Sequence, residues 1–269
     1  MARTSLPERL LGRDRRILIA SIALLFVLAG LYTVFGVGMR MSAIDMTAMR
    51  AMRDMPGPGE PGVWSPAYAV LVFLMWFVMM VAMMLPSVSP TVLLYAALLR
   101  HGNKSDRVPA FAGAFLGGYL AAWAAFSVIA TAAQWALEAA GVVSAAMMTL
   151  IDTWPGGLVL IAAGLFQFTP LKTACLAHCR SPAKFLTERR RPGAAGAFRM
   201  GVEHGIYCLG CCWFLMALLF VGGIMNLLWI VGLAVIVALE KLMPRGELIS
   251  KAAGAALAVW GAWIVFAAF

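Results

Sequence analysis

The chain has 269 residues, of which 63% are hydrophobic and 12% are charged, and its formal net charge at pH 7 is +9. This hydrophobic share is well above that of ordinary globular domains, which excludes a typical water-soluble enzyme and indicates an integral membrane protein. The sequence contains no Walker loop, dinucleotide-binding fingerprint or HExxH zinc motif, so no ATP-driven engine is recognisable.

The apolar segments predict an all-α fold, a polytopic transmembrane helical bundle with about seven spans. A basic tail over residues 1–16 precedes a membrane domain over residues 17–269. The fourth span is short, and Pro155 and Pro170 near its two ends predict a tilted or half-broken helix. The predicted spans cover residues 17–37, 67–85, 108–131, 156–171, 200–220, 223–239 and 252–269.

The distribution of Lys and Arg predicts the orientation of the chain. Nearly all of these residues fall in the N-terminal tail and in alternate loops, including a basic inner loop over residues 172–199, whereas Arg40, Arg50 and Arg53 fall on the other side. Because cytoplasmic loops are rich in positive charge, we predict a cytoplasmic N-terminus in a bacterial inner membrane. This bias explains the net charge, so the lipid bilayer is an expected partner and nucleic acid is not.

A Met-rich outer loop over residues 39–65 follows the first span. Two interpretations fit it: thioethers that capture Cu(I) at the outer face, or an amphipathic helix that lies on the bilayer. The methionines of this loop are Met39, Met41, Met46, Met49, Met52 and Met55.

The second predicted span carries two methionine stripes at helical spacing. Met75, Met79 and Met83 form one stripe, and Met80 and Met84 form another beside it. Thioethers are soft ligands that suit Cu(I) and bind zinc poorly. Methionine also fills helix interfaces without any metal, so packing is the alternative interpretation.

Five cysteines are predicted on the cytoplasmic side. Cys175 and Cys179 lie where the fourth span ends, and Cys208, Cys211 and Cys212 lie in the first half of the fifth. Disulfides are rare in that compartment, which favours metal binding or thiol chemistry. The alternative is that these cysteines pack as small hydrophobic side chains.

The two cysteine segments resemble each other. "CLAHC" at 175–179 and "CLGCC" at 208–212 place candidate ligands at positions i, i+3 and i+4, with His178 corresponding to Cys211. These positions share one face of a helix, and His204 adds a ligand one turn earlier. Consecutive antiparallel helices would bring the two motifs together in a site for Cu(I), zinc or iron.

Polar residues near the ends of the later spans have simpler interpretations. Glu240 and Lys241 are interpreted mainly as an interfacial anchor, with charge balance for a bound cation as the alternative role of Glu240. Asn226 is expected to hydrogen-bond between helices, and Gly222 and Gly223 to form a tight turn.

The chain also resembles a known family in four segments. They read "MWFVMMVAMMLPSVSP", "FQFTPLKTACLAHCRSP", "GVEHGIYCLGCCWFLMALLFVGGIMNLLW" and "LEKLMPRGE". They resemble the signature blocks of a bacterial family of predicted metal-binding integral membrane proteins that carry a domain of unknown function. The resemblance implies metal binding at Cys175, His178, Cys179, Cys208, Cys211 and Cys212, without naming the metal.

The leading hypothesis is a membrane protein that transports Cu(I) or delivers it to a small soluble or membrane partner protein. The alternatives are a membrane oxidoreductase that uses a metal centre or the Cys208–Cys211 pair, and a zinc-stapled scaffold subunit. Whether the protein is an enzyme is left open. The predicted metal ligands are Cys175, His178, Cys179, Cys208, Cys211, Cys212, His204, Met79, Met80, Met83 and Met84.

Overall fold

The computed structural model describes residues 6–39, 41–54, 64–101 and 107–269. These ranges are mostly helical and contain no strand, only an isolated bridge between Val143 and Leu150, so the predicted all-α fold is confirmed. Residues 1–5 of the predicted tail, Arg40, Met55 and Lys104 lie outside the described residues. The helices are α1 (Leu6–Phe35), α2 (Ala43–Ala48), α3 (Pro66–His101), α4 (Val108–Ala139), α5 (Thr153–Phe166), α6 (Pro170–Arg180), α7 (Pro182–Glu188), α8 (Gly193–Ala217), α9 (Leu219–Gly222), α10 (Leu227–Leu242) and α11 (Gly246–Ala267).

The helix lengths agree with most of the predicted spans. Five stretches of the described chain are long and apolar enough to cross a membrane. The sixth predicted span corresponds to α10, whose 16 residues extend only about 24 Å against a hydrocarbon core of about 30 Å. The count of seven spans therefore stays a prediction. The five stretches are Arg16–Phe35, Pro66–Arg100, Val108–Ala139, Gly193–Gly222 and Gly246–Ala267.

The fourth predicted span is a broken helix, as its prolines indicated. Its two parts, α5 and α6, meet at a bend of 64°. Pro170 begins α6, and the Thr169 hydroxyl caps this helix by accepting a 3.2 Å hydrogen bond from the Lys172 N–H. The bend turns α6 away from the direction of α5 and places it against α8.

Hydrogen bonds between loops define two ends of the bundle. At the end that we call the basic end, the Arg180 guanidinium donates a 2.9 Å hydrogen bond to the carbonyl oxygen of Met243. At the opposite end, the Leu227 N–H donates to the Thr47 hydroxyl over 2.8 Å, which joins α10 to α2. The loops that the charge pattern assigns to opposite sides thus lie at opposite ends.

Glycines allow α4 and α8 to pack with their backbones in contact. A Cβ atom on Gly201 would collide with the carbonyl oxygen of Phe115, and one on Gly118 would collide with that of Phe198. Small residues at such contacts are typical of helix pairs in membranes, where close backbone approach replaces the hydrophobic effect. The register between these two helices is therefore fixed by shape.

The described part of the Met-rich loop docks on the opposite end of the bundle. Ser42 caps α2 in a capping box with Asp45, and Ala43 and Met46 are buried. The hydrogen bond between Thr47 and Leu227 fastens the helix to α10. This packing favours a role inside the protein over a helix that lies on the bilayer.

Candidate metal centre

Three cysteines of α8 form one buried face of the helix. Cys208, Cys211 and Cys212 are each at most 1% exposed. The thiols of Cys211 and Cys212 lie 3.0 Å and 2.9 Å from the carbonyl oxygen of Cys208. The Cys212 thiol also lies close enough to those of Cys208 and Cys211 to interact with them. The helical spacing therefore brings three sulfur atoms together within one turn.

A fourth thiol comes from α6. The thiol of Cys179 lies close enough to those of Cys208 and Cys211 to interact with them. We call Cys179, Cys208, Cys211 and Cys212 the thiol cluster. The juxtaposition that the two similar motifs predicted is thus present, although a single thiol of α6 makes these contacts.

Two other predicted ligands lie beside the thiol cluster. The sulfur of Cys175 packs on the backbone of α8, where a Cβ atom on Gly210 would lie only 2.8 Å from it. The His178 ring stacks on the ring of Tyr207, with centroids 3.9 Å apart and planes 15° apart. Both side chains border α8 without making the thiol contacts of Cys179.

Two polar groups from other helices contact Cys208. The Lys241 ammonium of α10 donates a 2.9 Å hydrogen bond to the Cys208 sulfur, and the Tyr119 hydroxyl of α4 lies 3.0 Å from the same atom. Lys241 is 7% exposed and Tyr119 is fully buried. A buried ammonium requires a partner, and here sulfur is that partner.

The expectation that Glu240 and Lys241 form an interfacial anchor is wrong. Glu240 is completely buried and accepts a 2.6 Å hydrogen bond from the ammonium of Lys172, which also donates over 2.6 Å to the carbonyl oxygen of Cys211. α10 packs one face against α3, α6, α8 and α11, and Glu240 and Lys241 lie on that buried face, so these two side chains contact protein instead of headgroups. Lys172 thereby connects α6, α8 and α10 at the thiol cluster.

His204 lies one turn before Cys208 in an aromatic pocket. Its ring is 3% exposed and packs against Phe115, Tyr119 and Phe185. Among the described residues its Nδ1 atom has no hydrogen-bond partner. A buried, unpaired imidazole nitrogen is costly, and it remains available as a ligand.

The methionine stripes of α3 are buried in the same core as the cysteines. Every member is at most 3% exposed, and α3 packs against α4 and α10, the two helices that bring Tyr119 and Lys241 to Cys208. The burial fits both interpretations of these residues, soft ligands and interface packing. The stripes comprise Met75, Met79, Met80, Met83 and Met84.

The side chains are not arranged around an ion. Within the described residues, no group of three or more His, Cys, Asp or Glu side chains has the arrangement that holds a metal. The reason is visible at Cys208: the neighbouring thiols turn to its carbonyl oxygen, and an ammonium lies beside its sulfur. The donor set nonetheless fits a soft monovalent cation, because it combines four thiols with an imidazole.

Comparison with known proteins identifies the family. A family model described as a copper chaperone (PpoB2) matches residues 73–264, which include every predicted ligand. The chain belongs to this copper chaperone family. No curated protein and no solved structure matches the chain. The predicted association with copper is therefore supported at the level of the family.

Three residues of the candidate site are not predicted from the sequence: Tyr119, Lys172 and Lys241. The charge pattern places Lys172 and Lys241 in loops, yet each lies beside an apolar run and close in sequence to a cysteine or an acidic residue. A buried charge of that kind indicates a functional site by default. No sequence pattern indicates a role for Tyr119, because its place beside Cys208 depends on the packing of α4 against α8.

Proposed function

We propose that the protein is an integral membrane copper protein that binds Cu(I) at the thiol cluster and passes it across the bilayer or to a partner protein. The observation that supports this most directly is the meeting of Cys179 from α6 with the buried cysteine face of α8. Thiolates are strong ligands for Cu(I), and the family is a copper chaperone family.

Charge balance supports coordination by two thiolates in a buried site. One Cu(I) with two thiolates carries a single negative charge, which is costly inside a membrane protein unless a cation lies nearby. The ammonium of Lys241, 2.9 Å from the Cys208 sulfur, supplies that cation. The buried pair of Lys172 and Glu240 is neutral by itself. The charges of Cu(I), two thiolates, Lys241 and this pair therefore sum to zero.

The other predicted ligands lie around the thiol cluster or elsewhere in the core, and we propose secondary roles for them. His204 is the nearest additional donor on α8, and Cys175 and His178 border the site on α6. Met79, Met80, Met83 and Met84 form a thioether station in the core for copper that moves through the bundle. The basic end faces the cytoplasm in this proposal, and reporter fusions after Arg191 and near Gly59 test that orientation.

A copper titration of the purified full chain tests the site. Cu(I) is titrated in competition with a chromogenic chelator, for the natural sequence and for a variant with serine at the four positions of the thiol cluster. We expect the natural protein to retain Cu(I) and the variant to lose most of it. Equal retention by both proteins would exclude the thiol cluster as the copper site.

Elemental analysis separates copper from the other metals. Protein purified without added metal should contain copper in place of zinc or iron, and it should lack the strong visible absorption of an iron–sulfur or haem centre. Zinc in its place would favour the zinc-stapled scaffold.

A further inference from the structure

A cavity of about 170 Å³ lies at the opposite end of the bundle from the thiol cluster. Its walls come from the Met-rich loop, the loop before α5, the break before α10 and the side of α11. This volume holds an ion with several water molecules. None of the ligands predicted from the sequence for the cysteine site lines it.

Three methionines from two separate loops line this cavity. Met46 belongs to α2, Met52 follows it, and Met147 belongs to the loop before α5. Met46 and Met147 are 5% and 4% exposed, whereas Met52 is 51% exposed. Two thioethers therefore lie in the wall and the third lies at the mouth.

The loops that present these methionines are held in place by hydrogen bonds. The Arg53 guanidinium donates over 3.2 Å to the Leu150 carbonyl oxygen, and the Ser144 hydroxyl donates over 2.7 Å to Asp54. The Thr47 hydroxyl accepts from the first residue of α10. Preorganised ligands lose little entropy on binding, so the methionines are placed as a site before any ion arrives.

The remaining walls select the kind of ion. Trp229 and Trp260 stack with ring centroids 5.6 Å apart, and their faces attract a monovalent cation. Arg50 and Arg53 also line the cavity, and their charges repel a divalent cation more strongly than a monovalent one. Thioethers have little affinity for hard ions.

We infer that this cavity is a second Cu(I) site, in which the thioethers of Met46, Met52 and Met147 take up the ion at the end of the bundle remote from the thiol cluster. The inference rests on the proposed function, because it makes the cavity the loading site for copper that the cysteines later bind. Thioethers are neutral whereas ionised thiolates carry a negative charge, so this site holds Cu(I) less tightly than the thiolates do. Copper is thus drawn from the cavity toward the thiol cluster.

Methyl NMR of the full chain in detergent micelles tests the inference. The ε-methyl groups of methionine are labelled with carbon-13, and silver nitrate is titrated in chloride-free buffer as a redox-stable substitute for Cu(I). We expect the signals of Met46, Met52 and Met147 to shift together as one silver ion binds. Met225 is the matched control, because it is buried at the same end but does not line the cavity.

A variant with leucine at positions 46, 52 and 147 gives a second measurement. Its silver affinity at the cavity should fall by about tenfold or more, and Met225→Leu should change nothing. Methionine signals that stay fixed while silver saturates the thiol cluster would overturn the inference and leave the proposed function intact. Shifts that persist in the variant with serine in the thiol cluster would support the cavity even if the cysteines bind no copper.

Discussion

The ammonium of Lys241 lies 2.9 Å from the sulfur of Cys208, so the end of α10 is fastened to the middle of α8 inside the bundle. The Tyr119 hydroxyl approaches the same sulfur from α4. Three helices therefore meet at the sulfur atom of Cys208. Lys241 supplies a positive charge beside this sulfur, and Tyr119 supplies a hydroxyl group.

Removing the charge of Lys241 should weaken copper binding. In Lys241→Met the negative charge of a bis-thiolate Cu(I) complex lacks its cation, so we expect the affinity for Cu(I) to fall by about tenfold or more. Lys241→Arg keeps the charge and should keep most of the affinity. Competition with a chelator measures both, and Lys251→Met on the exposed surface of α11 is the control. Equal affinities in the Met and Arg variants would contradict the role of the charge.

The two cysteines of α6 should differ in their effect. Cys179→Ser removes the thiol that contacts Cys208 and Cys211, so copper retention should fall strongly. Cys175→Ser changes a sulfur that packs on the backbone at Gly210, so retention should fall less. Copper content per purified protein measures the difference. If the order is reversed, Cys175 is the ligand and the contacts of Cys179 are packing.

The buried pair of Lys172 and Glu240 should matter for stability. Lys172→Met leaves the Glu240 carboxylate buried without its partner, which costs about 3–5 kcal/mol. The double variant Lys172→Met with Glu240→Gln removes both charges and should recover much of that loss. Unfolding in mixed detergent micelles of the natural protein, the single variants Lys172→Met and Glu240→Gln, and the double variant gives a double-mutant cycle. Additive effects of the two changes would show that the pair is not coupled.

The close approach of α4 and α8 should not tolerate a methyl group at Gly201. Gly201→Ala places a Cβ atom against the Phe115 carbonyl oxygen, and the resulting overpacking should cost about 2 kcal/mol. Gly113→Ala on the open side of α4 is the matched control, and it should stabilise the helix by up to about 1 kcal/mol. Thermal unfolding in detergent compares them. Similar stabilities would mean that the helices separate without penalty.

Replacing the α3 methionines should affect movement of copper more than its binding. Met79→Leu with Met83→Leu keeps the buried volume and removes two thioethers. We expect copper retention by the cysteines to persist, and the entry of copper into proteoliposomes to slow. If the protein never moves copper but oxidises or reduces a quinone, the transport proposal is wrong and the oxidoreductase hypothesis replaces it.

The sequence predicted the helices well because long apolar runs report directly on burial in a bilayer or a core. Pro170 likewise predicted the break between α5 and α6, since proline limits helix geometry locally, and Pro155 lies in the first turn of α5. The repeated motif predicted that two cysteine segments meet. The apolar runs and the prolines act on residues that are neighbours in the chain, and the meeting of the cysteine segments follows from consecutive helices that run in opposite directions.

The missing parts of the prediction depend on contacts between distant residues. The spacing of Cys175, His178 and Cys179 puts them on one face, but the placement of α6 after the 64° bend sets which of them reaches the cysteines of α8. Lys172 and Lys241 looked like charges at span ends, and only the packing of α10 among its neighbours buries them. Met147 is distant in sequence from the outer loop, and only the folded structure places it in the same cavity as Met46 and Met52.

Because of the bend before α6, the thiol cluster is built from two helices that are held in different ways. Three of its sulfur atoms are on α8, a helix that α4 holds by direct backbone contact, whereas the fourth is on an eleven-residue helix. A small rotation at residues 167–169 that breaks the contacts of Lys172 with Cys211 and Glu240 would withdraw Cys179 and leave the other three in place. Under the proposed function, copper would then leave by exchange of one ligand at a time, which is a way to hand a tightly held ion to the next protein without its ever being free in solution.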